Sequence, residues 1–169
     1  MNNHLTYVLV ADASKAKLFS TYKAKLLQTT ASEKDLHLIA SFSHEDSRKK
    51  GVELASDKMG GFNTGTFVEA TSPKTQEAIE FAQELMDFIE TERTKNLFRE
   101  LIIIAAPAFM GMLNKAASSE IQKLISQTIE KDYTPLDDRN LLQQLQRFLQ
   151  PSTSFAIYAN KTVIEAYLT

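Results

Sequence analysis

The sequence predicts one α/β domain, a mixed sheet flanked by helices. Three observations carry this. Leu101-Ile102-Ile103-Ile104 is apolar at every position and reads as a buried central strand. Apolar stripes at helical spacing lie on either side of it. Three short segments rich in β-formers come first, with connections too short for crossovers, so they pair antiparallel.

Leu5 to Ala11 is the first strand. Ala13-Ser14 suits a turn, and Ala16 to Tyr22 pairs back as a hairpin. Asp35 to Phe42 alternates, with Leu36, Leu38 and Ala40 on one face and His37, Ile39 and Ser41 on the other. His44 to Thr66 has no clear period and holds Gly51, Gly60, Gly61 and Gly65, four of the five glycines. Such a long loop in a compact domain is usually functional. Pro73 opens a helix with Ser72 as N-cap, and Ala78, Phe81, Ala82, Leu85, Phe88 and Ile89 form its stripe. Glu100 to Ala106 is the central strand. Pro107 starts a second helix that turns Phe109, Met110, Leu113, Ala116 and Ala117 inward. Gln122 to Glu130 fits a helix or a strand. Thr134-Pro135-Leu136-Asp137 begins the last helix, with Asp137 expected in its third position. Its core face is Leu141, Leu142, Leu145, Phe148 and Leu149, and Pro151 ends it. The element order is that of ribonuclease H-like sheets. Residues 1–150 form this domain. Residues 151–169 are an extension, expected to be β and packed on the same domain, with Asn160-Lys161 compatible with the turn of a C-terminal β-hairpin.

Composition narrows the function classes. The chain has 169 residues, 43% hydrophobic and 24% charged, enough to bury a core without staples. Net charge is −2, without the basic excess of a dedicated nucleic-acid binder. There are no cysteines, which excludes disulfides and thiolate metal sites. The first apolar run stops at Asp12, and Leu101 to Ala106 is too short to span a bilayer. A soluble, cytoplasmic protein without membrane contact is expected.

Ribonuclease H-like sheets host nucleases that hold two metal ions on a carboxylate cluster. The candidates are Asp12, Asp57 and Asp132. Turn and capping roles explain aspartates at such positions equally well, and the three are expected not to converge on a shared ion. His4, His37 and His44 lack ligand spacing, so no metal site is expected from them. No phosphate-binding loop or nucleophile elbow occurs, and no cofactor is expected. In the long loop Arg48, Lys49, Lys50 and Lys58 balance Glu45, Asp46, Glu53 and Asp57. The run Arg48-Lys49-Lys50 suits phosphate contacts; a solvated loop of mixed charge explains it as well.

Several stretches together resemble the bacterial host-attachment protein family. They are Tyr7 to Asp12 with Ala16 to Phe19; His44 to Arg48; Leu54 to Gly61; Phe81 to Leu85; Leu101 to Pro107; Met110 to Leu113; and Lys131 to Thr134. Their order and spacing over roughly residues 5 to 148 make the set specific. The family is named for bacterial proteins implicated in attachment to host cells. It is similar to bacterial relatives of the middle domain of archaeo-eukaryotic release factors, whose Gly-Gly-Gln tip lies in a loop before a long helix. The resemblance implies a release-factor middle-domain-like fold and a ribosome- or RNA-linked role. Gly60-Gly61 falls in the corresponding loop, but Phe62 stands where glutamine would be, so peptidyl-tRNA hydrolysis is not carried over. Asn114 stands where family members often carry arginine. The expected function is a binding domain without an assigned catalytic residue. Its candidate binding loop comprises Arg48, Lys49, Lys50, Asp57, Lys58, Gly60, Gly61 and Phe62, and its expected partner is the ribosome or RNA. Alternatives are a metal-dependent nuclease or hydrolase using Asp12, Asp57 and Asp132, and a protein-interaction adaptor. The apolar segment Phe155 to Leu168 is expected to add strands to a sheet edge or to form a homodimer contact.

Overall fold

In a computed structural model, the structure describes residues 4–44 and 71–150. The loop with the candidate binding residues Arg48 to Phe62, and the expected C-terminal hairpin, lie outside the described residues.

Strand β1 (Leu5–Ala11) and β2 (Lys15–Tyr22) form the expected hairpin. A single helical turn, α1 (Lys23–Leu26), and a 3₁₀ turn (Glu33–Asp35) lead to β3 (His37–Ser43). Helix α2 (Pro73–Thr94) is followed by β4 (Glu100–Ala105), α3 (Pro107–Ala116) and α4 (Ser119–Leu124). Strand β5 (Ile125–Ile129) and helix α5 (Asp138–Leu149) complete the domain. The ambiguous segment after residue 121 therefore divides: helix to Leu124, strand from Ile125.

The sheet order is β3-β2-β1-β4-β5. Strands β1, β4 and β5 run parallel, and β2 is antiparallel to both neighbours. This is the mixed α/β sheet flanked by helices that the sequence predicts. Both β1 and β4 are interior strands, which is why they are apolar on both faces. One face sets Tyr7, Leu9, Ile103 and Leu18 against Phe81, Leu85 and Ile89 of α2 and Phe109 and Leu113 of α3. The other sets Val8, Val10, Phe19, Ile102 and Ile104 against Leu141, Leu142, Leu145 and Leu149 of α5. Leu101 to Ala105 are fully buried. The helices that begin at Pro73 and Pro107 share one face, and α5 covers the other.

The capping expectations are met at α2, where the Ser72 hydroxyl accepts from the Thr75 N–H at 3.2 Å. They are corrected at α5. Asp137 is the N-cap, not the third helical residue: its carboxylate accepts from the Asn140 N–H at 2.8 Å. Pro135 belongs to the preceding turn, closed by the Leu136 N–H bonding to the Tyr133 carbonyl. Phe148 is 47% exposed rather than in the core. At 100° per residue it falls about 75° from the centre of the stripe that buries Leu141, Leu142, Leu145 and Leu149.

Strand β3 also departs from its expected alternation. Leu18 pairs with Ala40 but Phe19 with Leu38, so Ile39 is bulged. Ile39 packs on the α2 side, while Leu38 is 54% exposed. A one-residue slip reassigns faces because the side-chain period is two.

Two polar ties secure β1 at the edge opposite its Asp12 end. The buried Tyr7 hydroxyl donates to Glu92 Oε2 at 2.9 Å, and its ring stacks on Phe98 at 4.3 Å. Burial first, then the Glu92 carboxylate, pushes the Tyr7 phenol up to about 12. Glu100, at the start of β4, accepts from Lys23 Nζ at 2.8 Å and from the Thr6 hydroxyl at 3.3 Å, with His4 Nε2 at 3.2 Å.

Candidate functional site

Parallel strands bring their carboxyl ends to one edge, where open α/β sheets place their ligand sites. Asp12 follows β1 there, Pro107 follows β4, and Asp132 follows β5. Asp12 closes the β1–β2 turn. Its Oδ1 accepts from the Ser14 N–H and the Lys15 N–H, both at 2.8 Å, and from the Ser14 hydroxyl at 3.0 Å. Burial raises the pKa of this carboxyl, but the Ser14 and Lys15 backbone donors outweigh it and hold the group below its usual range.

The Oδ2 of Asp12 faces the Thr134 hydroxyl at 3.1 Å, and the same hydroxyl lies 2.6 Å from Asp132 Oδ1. Asp132 Oδ1 also accepts from the Thr134 N–H at 3.0 Å. Two of the three carboxylates singled out by sequence thus meet around one hydroxyl. Thr134 has one proton to donate, so it satisfies one carboxylate at a time. Asp57 lies outside the described residues. Among the described residues no three His, Cys, Asp or Glu side chains gather as a metal site.

Beside this cluster, under the Tyr133–Leu136 turn, is a cavity of about 100 Å³. Val10, Phe19 and Leu141 supply its apolar lining, Tyr133 and Thr134 one wall, and Lys15 and Lys17 its rim. Lys17 pairs with Val10 on β1 and with Ser41 on β3, so these three share one row across the sheet. Both lysines are exposed, and among the described residues neither forms a salt bridge. The sequence reading missed Lys15, Lys17 and Thr134. A signal was present for the lysines: they alternate with the buried Ala16 and Leu18, which directs both to the face opposite α2.

The long loop leaves from this edge. The His44 N–H donates to the Ser14 carbonyl at 2.7 Å, and its ring stacks on Phe81 at 5.3 Å. A second concavity of about 490 Å³ lies between α2 and α3, lined by Thr71, Ile79, Gly111, Met112 and Lys115.

Sheet order, helices on both faces and a polar cluster at the carboxyl edge define an α/β domain built to present loops from one rim. Comparison with known proteins places it further. Residues 7–145 match the family described as "Protein required for attachment to host cells", and the chain belongs to that family. No curated protein matches it. Three solved structures are similar at low identity. An "Archaeal protein" has 9% identity and a TM-score of 0.42, covering 96% of this chain and 42% of the other. The archaeal translation termination factor aRF1 has 10% identity and a TM-score of 0.46, covering 96% and 43%. A non-polymerisable quadruple mutant of pCBH ParM has 10% identity and a TM-score of 0.44, covering 88% and 47%. The chain spans under half the length of each. Among the described residues no helix is long and apolar enough to cross a membrane.

Proposed function

We propose that this host-attachment family chain is a binding domain with an RNA- or ribosome-linked role, acting from the carboxyl edge of its sheet. The observation that carries the reading is the pair Lys15 and Lys17, two exposed cations without an ion-pair partner among the described residues, beside an aromatic-lined cavity. The sequence supplies more positive charge in the run Arg48-Lys49-Lys50. Clustered cations that meet phosphates give binding that weakens as salt rises. The family's resemblance to release-factor domains supports the same partner.

The test is co-sedimentation with ribosomes at two salt concentrations. Wild type is expected to pellet with ribosomes and to be released by salt. Arg48→Glu with Lys49→Glu should weaken the association about tenfold or more, about 1.4 kcal/mol. Equal pelleting of both proteins would remove this loop as the contact. Absence of pelleting for either would favour the protein-interaction adaptor.

One observation favours the nuclease reading: Asp12 and Asp132 meet at Thr134. Metal-dependent RNA cleavage that Asp12→Asn abolishes would establish it. A separate proposal concerns residues 152–169, which we assign to a sheet edge or a homodimer contact. Deleting them should lower solubility or change the mass in light scattering; a soluble truncation of unchanged mass overturns it.

A further inference from the structure

We propose that the cavity under the Tyr133–Leu136 turn takes one unstacked nucleotide, its base against the apolar lining and its phosphate on Lys15 and Lys17. This deepens the RNA-linked reading and rests on it. The cavity's size sets the class of ligand. About 100 Å³ suits a single planar base, whereas drug-sized ligands occupy about 300–1,000 Å³. Its lining sets the orientation. Val10, Phe19 and Leu141 offer a dry surface, and Tyr133 a ring on which a base can stack. The Ser41 hydroxyl both donates and accepts, and the Thr134 oxygen, its proton held by a carboxylate, accepts, which suits the edge of a base without fixing its identity.

Charge fixes the polarity. Asp132 and Thr134 lie in the loop after β5, Asp12 closes the β1–β2 turn beside Lys15, and Lys17 lies further along β2. A phosphate is repelled from the carboxylates at Thr134 and attracted to the lysine ammonium groups on the β2 rim. The base edge with its amino groups therefore turns toward Thr134, and the phosphate toward the β2 rim. Single-stranded nucleic acid is held by this combination of stacking and backbone cations. The same chemistry is offered by a free nucleoside monophosphate and by a nucleotide within an RNA strand.

The experiment uses the full chain and two fluorescent probes, 2-aminopurine riboside 5′-monophosphate and a single-stranded RNA tetranucleotide containing 2-aminopurine. The chain has no tryptophan, so probe fluorescence is read without interference. Wild type should quench the probe as the base stacks. Lys15→Gln with Lys17→Gln should weaken oligonucleotide binding about tenfold and lower its salt slope by about 1.4. Ser41→Phe fills the cavity from an exposed position on the edge strand, so it should abolish quenching while leaving the melting temperature near wild type. RNA binding seen by sedimentation, with no quenching and no effect of either variant, would overturn the cavity while leaving the RNA-linked reading intact. Binding of the monophosphate but not the tetranucleotide would keep the cavity and remove RNA as its source. Failure of both probes overturns the proposal, and ribosome pelleting then reports on the RNA-linked reading by itself.

Discussion

Phe81→Ala is expected to lower the unfolding free energy by about 3–5 kcal/mol. Phe81 is fully buried in the middle of α2, where its ring meets Phe109 of α3 at 6.0 Å and His44 at 5.3 Å. Truncation removes an aromatic body from three elements at once, and the backbone of a helix packed on a sheet cannot close around the space left. A domain of this kind is stable by only about 5–15 kcal/mol, so this one change removes a large share. Urea unfolding should show a lower midpoint at unchanged slope. A loss below about 1 kcal/mol would mean that α2 is not seated as described. The same variant should free the His44 ring, because its aromatic support is gone while its backbone bond to Ser14 remains.

Acid is expected to weaken the domain through Glu100. Burial acts to raise this carboxyl's pKa, but hydrogen bonds from Lys23, Ser126 and His4 outweigh it and bring it from 4.5 down to about 2. A group whose folded value is depressed contributes stability that is fully present above its unfolded value. That contribution is lost as protons bind the unfolded chain first. The window is therefore pH 4.5 to about 2, with stability falling as pH falls. Allowing for solvent at a side chain 12% exposed, the contribution is about 1–3 kcal/mol. Glu100→Gln should flatten the stability profile between pH 5 and 2.5 in chemical unfolding. Lys23→Met should move the acid limb to higher pH. A wild-type profile that Glu100→Gln leaves unchanged in that window would refute the assignment.

What sequence reveals here follows from the range of the interactions. The runs in β1 and β4 are legible because a strand between two neighbours, covered on both faces, must be apolar throughout. Pro73 and Pro107 mark helix starts because a first-turn residue needs no N–H partner. The division of Gln122 to Glu130 between helix and strand is not legible, since a segment of that length satisfies either period. Nor is the bulge at Ile39, which depends on how β3 pairs with β2 rather than on its own residues. At the candidate site, Asp12 and Asp132 stand out in sequence because ribonuclease H-like folds use such carboxylates. Their meeting at Thr134 joins positions 122 apart, and no local pattern encodes it. The basic run Arg48 to Lys50 stands out in sequence for the opposite reason: three adjacent cations need no fold to be noticed.

The two walls of the cavity differ in how they are held. Val10 and Lys17 belong to a hairpin hydrogen-bonded along its length, and β1 is clamped again on its other side by β4. Tyr133 and Thr134 sit in a short turn held by its closing bond, by the Tyr133 hydroxyl donating to Gln144 at 3.4 Å, and by Thr134 at Asp12 and Asp132, with no strand neighbour of its own. Compliance is therefore one-sided. A guest that needs more room meets a rigid sheet on one side and a yielding turn on the other. Enlarging the cavity would therefore bend the β5–α5 connection before it moved the sheet.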